Sequence, residues 1–161
     1  MSDSSILDTP VTRDLARRGI PFRPFVHPGE VHSLEQAAAE RGQRSEQVIR
    51  SIVFRQSGDE FVMVLAPGPA QISWPGLRAY LGVSRISMAT PEEVLKYTGY
   101  VTGSVSPFGL PTPMRILVDE KVFNPEEVSI GSGVRNTTVI LKSENLRKAL
   151  VEAEIGCFVE C

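Results

Sequence analysis

Residues 100–113, Tyr-Val-Thr-Gly-Ser-Val-Ser-Pro-Phe-Gly-Leu-Pro-Thr-Pro, hold too much glycine and proline for a helix interior or a central strand. The stretch reads as a structured loop around which the chain is organised. Gly103 can take backbone angles closed to other residues, while Pro107 fixes its own torsion and pushes Ser106 towards an extended conformation. Such a loop can hold several peptide groups as a fixed array beside a ligand. Ser104 and Ser106 would add hydroxyls, and Val101, Val105, Phe108 and Leu110 would tie the loop to a core. An ordinary connection between two elements has the same composition, so composition alone leaves both readings open.

Upstream, Thr90-Pro91-Glu92-Glu93 combines a capping box with a first-turn proline and starts a helix through Val94, Leu95 and Tyr97 that Gly99 ends. Ser84–Met88 reads as a short strand. Ser73-Trp74-Pro75 opens a helix carrying Leu77, Tyr80 and Leu81, closed by Gly82, with Trp74 as a core or loop anchor. Val48–Arg55 and Phe61–Ala66 form a hairpin turning at Gln56–Asp59. A short turn capped by Ser45 precedes it. Ser33 with Gln36 fits a capping box for a helix that Gly42 stops, and His27-Pro28-Gly29 is a turn. Ile20–Val26, interrupted by Pro21 and Pro24, suits an edge strand, and Thr9-Pro10 starts a helix to about Arg18 with Val11 and Leu15 on one face.

Downstream, Met114–Val118 is an apolar strand, and residues 119–127 are polar with a turn at Asn124-Pro125. Val128–Ile130 and Thr137–Leu141 are expected to pair through Gly131-Ser132-Gly133 and a bend near Asn136. Ser143 is expected to cap a last helix with Leu146, Leu150 and Val151 as its buried stripe. The elements are mixed, not strictly alternating. The expected fold is α+β: a single compact domain over residues 1–161, with a mixed β-sheet flanked by helices.

The 161 residues suffice for one domain with a core, and no apolar run approaches the roughly 20 residues of a membrane span. Residues 1–8 include acidic residues and no long apolar segment, so a cytoplasmic location is the default expectation. A net charge of −2 argues against a protein that coats nucleic acid, DNA included, through a broad basic surface. It leaves room for a local contact, since Arg13, Arg17, Arg18, Arg23, Arg41, Arg44, Arg50 and Arg55 make the first third locally basic. Cys157 and Cys161 read as unpaired tail thiols, and no further Cys or His completes a metal set. His27 and His32 read as turn or surface residues, with ligand contact as the alternative. There is no Gly-x-Ser-x-Gly elbow, Walker loop or dinucleotide fingerprint. No cofactor or metal is expected.

The order of these pieces resembles the YbaK/EbsC family, which includes bacterial Cys-tRNA(Pro) deacylases and the editing domain of bacterial prolyl-tRNA synthetases. The matching features are Thr9-Pro10, Ser33–Gly42, Val48-Ile-Arg-Ser-Ile-Val53, Met88-Ala-Thr-Pro-Glu-Glu93, Thr98-Gly-Tyr100, Gly103-Ser-Val-Ser-Pro107 and Gly131-Ser-Gly-Val-Arg135. The resemblance covers nearly the whole chain. It implies an aminoacyl-tRNA deacylase that works in trans, hydrolysing the ester of a mischarged small amino acid, with Ala, Ser, Thr and Cys as candidates. Its partners would be the acceptor end of aminoacyl-tRNA and, as a further candidate, an aminoacyl-tRNA synthetase. In the family the Gly-x-x-x-Pro loop lines the aminoacyl pocket, which puts Gly103, Ser104, Val105, Ser106 and Pro107 at the substrate, along with the turn Gly131, Ser132 and Gly133.

Two positions depart from that pattern: the family's lysine falls on Arg50, and a late acidic position falls on Thr138. Arginine cannot accept a proton near neutral pH, so Arg50 as the candidate catalytic residue would grip the terminal phosphate or stabilise an oxyanion. The attacking group would be a water held by backbone groups or a ribose hydroxyl of the substrate. Pocket size would depend on how the loop meets Ile52, Phe61 and the Gly131–Gly133 turn. Loss of the lysine motivates an alternative, a non-catalytic module that binds aminoacyl-tRNA, a synthetase or an amino-acid-like ligand.

Overall fold

Thr9 accepts the Thr12 N–H and Thr12 returns the bond to the Thr9 N–H, so the first turn of α1 (Pro10–Arg17) has its orphan donors satisfied before the helix begins. The computed structural model describes residues 7–160. Every later helix start uses the same chemistry except one. Ser33, Ser73 and Thr90 cap α2 (Leu34–Arg41), α3 (Trp74–Leu81) and α4 (Pro91–Thr98), and left-handed Gly42, Gly82 and Gly99 end them. The exception is α5 (Ser143–Ala149), where Ser143 is the first helical residue and its hydroxyl bonds the carbonyls of Pro125 and Glu126 instead. Gln36 likewise departs from a full capping box, because its side chain takes the His32 N–H.

The hairpin forms as expected, with β2 (Ile49–Ser57) antiparallel to β3 (Glu60–Pro67). It centres a five-stranded mixed sheet in the order β4-β2-β3-β5-β8, where β4 is Ser87–Met88, β5 is Arg115–Asp119 and β8 is Glu154–Gly156. β3 to β5 and β5 to β8 are parallel. A separate antiparallel sheet, β1-β7-β6, is built from Arg23–Val26, Thr137–Lys142 and Glu127–Gly131, with β1 on an edge as its prolines require. A parallel bridge between Val48 and Ser129 joins the two sheets. The expectation of one sheet is thus refined to two, because β7 pairs with both β1 and β6, and beyond that single bridge no ladder joins them to the hairpin.

Alternation along the hairpin separates two apolar clusters. Ile49, Val53, Met63 and Leu65 pack with Val11 and Leu15 of α1, Val105 and Phe108 of the 100–113 loop, Ile130 of β6 and Val139 of β7. Phe54, Val62, Val64 and Ala66 face the other way, onto Leu77 and Phe158 with Trp74 against them. Each fully buried Val, Leu or Phe stabilises the fold by about 1.5–3 kcal/mol relative to exposure. Asp119 is fully buried and accepts the N–H groups of Phe158 and Val159, which fixes the chain beyond β8 to the sheet.

Several sequence expectations need correction. Val101 and Val151 are exposed, so neither anchors the core. Residues 120–123 form a 3-10 turn, and a second such turn, Ser45–Gln47, starts from Arg44 without a side-chain cap. β8 was not anticipated: its three residues carry no alternation, and pairing to β5 alone makes them a strand. Cys157 is an exposed free thiol, while Cys161 and the first six residues lie outside the described residues. No described helix is long and apolar enough to cross a membrane.

Candidate active site

The outer edge of β2, opposite β3, is covered at both ends and open in the middle. Val48 C=O accepts from Gly68 N–H on the β3 side at 2.7 Å, so strand alternation turns the main-chain groups of Ile49, Ser51 and Val53 to the outer edge. Val53 C=O is taken there by Ala89 N–H, and Ser129 bridges beside Val48. Between them Ser51 presents its backbone to a cavity of about 270 Å³, and its buried hydroxyl has no hydrogen-bond partner. The volume lies just below the roughly 300–1,000 Å³ of pockets for drug-sized ligands, which suits a small group.

The far wall is the 100–113 loop. Gly103 borders the cavity at φ 93°, a conformation that strains any residue with a Cβ, although a methyl there would meet open space. Gly131 has the opposite requirement: a Cβ would lie 2.1 Å from the Val105 carbonyl oxygen. Backbone therefore packs on backbone, and the Gly133 N–H donates to the Ser104 carbonyl at 2.9 Å to seal the contact. Behind the loop, the Tyr100 hydroxyl donates to Phe108 C=O at 2.5 Å, and Asp14 accepts the Gly109 N–H at 2.8 Å. Burial and the Asp14 charge push the Tyr100 phenol up to about 12, so it stays a donor across the working pH range. Burial pushes the Asp14 carboxyl upward, but bonds from Arg18 and Gly109 with the Arg18 and Arg17 charges outweigh it and leave its pKa lowered. The loop is a clamped wall.

Arg41 and Arg50 both border the cavity. Arg50 Nε donates to Gly68 C=O at 2.6 Å and Nη2 to Ala70 C=O, on the face of β2 shared with Ile52 and Phe54. Desolvation lowers its pKa, though a guanidinium remains charged. Arg41, at the end of α2, is held by side chains: Nε donates to His27 Nε2 at 3.1 Å and Nη1 to Ser129 Oγ at 2.7 Å. Ser129 passes its own proton to Gln43 Oε1 at 2.9 Å. Burial lowers the Arg41 pKa to about 10 against the opposing pull of Glu40, which still leaves it charged at neutral pH. His27 is buried, not at the surface, and its Nδ1 lies 2.6 Å from Glu40 Oε1. The carboxylate partner stands 13 residues away on α2 and was invisible as a pair in sequence.

Of the residues expected at the substrate, Arg50, Gly103, Val105 and Gly131 border one cavity. Ser104, Ser106 and Ser132 instead turn their hydroxyls inward: to Val101 C=O, to Phe108 N–H, and to Val134 and Thr137. Gly133 packs on the Tyr100 ring, and Pro107 borders a different hollow beside Asp14 and Arg18. Ile52 faces the second cluster and Phe61 packs on Tyr97, so neither sizes the cavity. Thr138 does border it, with its hydroxyl donated to Ile130 C=O. Sequence reasoning missed Arg41, Ser51 and Ser129. The neighbour of Arg50 in a strand was a legible signal for Ser51; nothing local marked the other two. No cluster of three or more His, Cys, Asp or Glu suited to a metal occurs among the described residues.

Residues 28–149 match the model of the aminoacyl-tRNA editing domain. A proline–tRNA ligase of Thermosipho melanesiensis is 30% identical over 114 residues, 71% of this chain, which spans only 20% of that protein's length. The uncharacterised protein YwhH of Bacillus subtilis is 32% identical over 71% of this chain and 72% of its own. The multifunctional Ser/Thr-tRNA deacylase ProXp-y of Escherichia coli K12 is 26% identical over 89% of this chain and 87% of its own. A solved structure described as a candidate trans-editing enzyme for prolyl-tRNA synthetase superposes with a TM-score of 0.86 at 25% identity, covering 100% of this chain and 99% of its own.

Proposed function

The chain belongs to the aminoacyl-tRNA editing domain family, and from that premise we propose that it is a trans-acting deacylase that hydrolyses the ester between a mischarged small amino acid and the terminal ribose of tRNA. The observation that carries the reading is the cavity itself: small, walled by the clamped Gly103 loop, with the open edge of β2 as its floor. Small apolar pockets discriminate poorly between amino acids differing by a methylene or a hydroxyl, so a separate hydrolytic check has a chemical purpose. α1 and the segment beyond β8 lie outside the matched residues yet pack into the same two clusters, which supports treating the whole chain as one editing domain.

Among the residues bordering the cavity there is no carboxylate, histidine, lysine or cysteine. Catalysis then rests on placement and on fixed dipoles, with a water or the neighbouring ribose hydroxyl as nucleophile. In net terms water adds its oxygen to the ester carbonyl carbon, the carbon–ribose oxygen bond breaks, and the ribose oxygen takes the proton. Ser51 N–H and C=O and the backbone at Gly103 are positioned to orient the aminoacyl group. Arg50 acts as a strut that shapes the rim, since two of its three nitrogens are committed to carbonyls.

The tRNA would approach along the same edge of β2. Beyond β4 that edge ends in a groove lined by Arg55, Arg78 and Arg85 with Ser57, Ser84 and Ser87, and by no acidic residue. Five residues separate Arg50 from Arg55, about 17 Å of extended strand, which suits backbone phosphates behind an acceptor end held in the cavity. A synthetase that delivers the mischarged tRNA is a compatible second partner.

The carbonyl-bound Arg50 favours one other reading, a module that binds aminoacyl-tRNA without turning it over. Deacylation of Ala-, Ser-, Thr-, Cys- and Pro-tRNA by the purified chain separates the two. Hydrolysis of at least one mischarged species is expected; saturable binding of all with hydrolysis of none would leave the binding module.

A further inference from the structure

We propose that Arg41 is the cation of the reaction cavity, donating through Nη2 to the carbonyl oxygen of the bound ester, and that His27 and Glu40 are the positioning residues that aim it. The inference rests on the deacylase reading and names the residue that would stabilise its transition state. Three observations carry it. Arg41 borders the cavity with two of its nitrogens fixed, Nε by His27 and Nη1 by Ser129, while Nη2 has no hydrogen-bond partner among the described residues. Its fixing groups are themselves fixed: Ser129 by Gln43, His27 by Glu40, and Glu40 by Gln36 at 2.8 Å. Finally, the other arginine at the cavity is bound to the Gly68 and Ala70 carbonyls on the opposite face of β2.

The chain of bonds also fixes a protonation state. An arginine Nε–H can only donate, so His27 Nε2 must be the bare acceptor and Nδ1 must carry the proton that goes to Glu40. Neutral His27 is therefore the form that holds Arg41. A second proton on Nε2 would remove the acceptor and set an imidazolium against a guanidinium. The charged groups in contact with the ring are Glu40 and Arg41 of α2; from β1 it meets the uncharged Phe25 ring, and its backbone N–H donates to the Asn136 carbonyl.

As water adds to the ester carbonyl, negative charge collects on its oxygen, and a donor already oriented there stabilises that charge without reorganisation. Loss of one such donor typically lowers kcat by about 10²–10³-fold. Loss of one hydrogen bond to a charged group, which would let Arg41 wander, is worth about tenfold or more.

The test is single-turnover and steady-state deacylation of the mischarged tRNA that the wild type hydrolyses best, with thermal midpoints measured alongside. Arg41→Gln is expected to lower kcat about 10²-fold or more with little change in KM, and Arg41→Lys to recover part of the loss. His27→Asn keeps a donor for Glu40 but no acceptor for Arg41, and should lower kcat about tenfold. His27→Gln puts an amide oxygen near the Nε2 position and should retain kcat better than His27→Asn. A purely structural role would move midpoints and give the two His27 variants the same kcat. A folded Arg41→Gln with kcat within twofold of wild type overturns the proposal while leaving the deacylase reading intact. Should the wild type hydrolyse no ester on the panel, the reading falls and this inference with it.

Discussion

Two arginines meet the same small cavity and are held in opposite ways. Arg50 is gripped by main-chain carbonyls of the 68–70 turn, groups that cannot move without moving the sheet. Arg41 is gripped by side chains, one of them a histidine whose second proton would undo the grip. Carbonyls make an arginine a strut, because each bond satisfies a polar group that burial would otherwise orphan. Each arginine keeps one terminal nitrogen without a partner among the described residues, but a side-chain relay makes the aim of Arg41 adjustable. Residue type and proximity to the pocket do not separate these roles; bonding partners do.

The contrast can be broken by exchanging single groups. The largest expected effect is on Arg41→Gln, about 2.7–4 kcal/mol of transition-state stabilisation if it donates to the oxyanion, read chiefly as kcat, with a drop in thermal midpoint from the buried His27 and Ser129 acceptors it leaves unpaired. Arg50→Gln should show the reverse pattern: a stability loss of about 1–3 kcal/mol from the unpaired carbonyls of Gly68 and Ala70, measured by urea denaturation, and a smaller loss of kcat than Arg41→Gln. If both substitutions fall mainly on kcat, the strut assignment is wrong. Arg78→Glu with Arg85→Glu, away from the cavity, should raise KM for full-length tRNA and weaken its salt dependence, while leaving hydrolysis of a short aminoacylated oligonucleotide unaffected; equal loss on both substrates would remove the groove from the tRNA path.

The smallest effect is electrostatic. Bonds from Arg115 and Tyr80, with the Arg115 charge, hold the Glu154 carboxyl down at about 2, across the β5–β8 edge. A depressed folded pKa means that this pair stabilises the fold above the ordinary carboxylate range and that the benefit disappears as pH falls towards about 2. The side chains are more than a third exposed, so the gain is below about 1 kcal/mol. Arg115→Gln should flatten the acid end of the stability curve and leave the pH profile of kcat untouched.

Much of the fold was legible because local chemistry decides it. Thr9, Ser33, Ser73 and Thr90 announce helix starts, Gly42, Gly82 and Gly99 announce stops, and the β-branched Val48–Arg55 and apolar Phe61–Ala66 about the Gln56–Asp59 turn set a hairpin. What tertiary pairing decides was not legible: β8 exists through β5, and Ser143 gives up its cap to hold the 125–126 carbonyls. The cavity divides along the same line. Gly103 and Gly131 could be singled out because backbone geometry demands glycine, at one by φ and at the other by close approach. The serines of the loop could not be oriented, since Ser104, Ser106 and Ser132 use their hydroxyls to hold the turns they sit in. Arg41 reaches Ser129 across 88 residues, and no spacing in the chain reports that contact.

Single-turnover deacylation of Ala-, Ser-, Thr-, Cys- and Pro-tRNA by the wild type and by Gly103→Val tests the central claim most directly. A Cβ at Gly103 would meet open space but needs a φ that L side chains rarely adopt, so the substitution disturbs the cavity wall without burying a new clash. The account predicts that the wild type cleaves at least one mischarged ester and that Gly103→Val, still folded by circular dichroism, loses most of that rate. Full activity in a folded Gly103→Val protein would contradict it, because hydrolysis would then be proceeding somewhere other than this cavity.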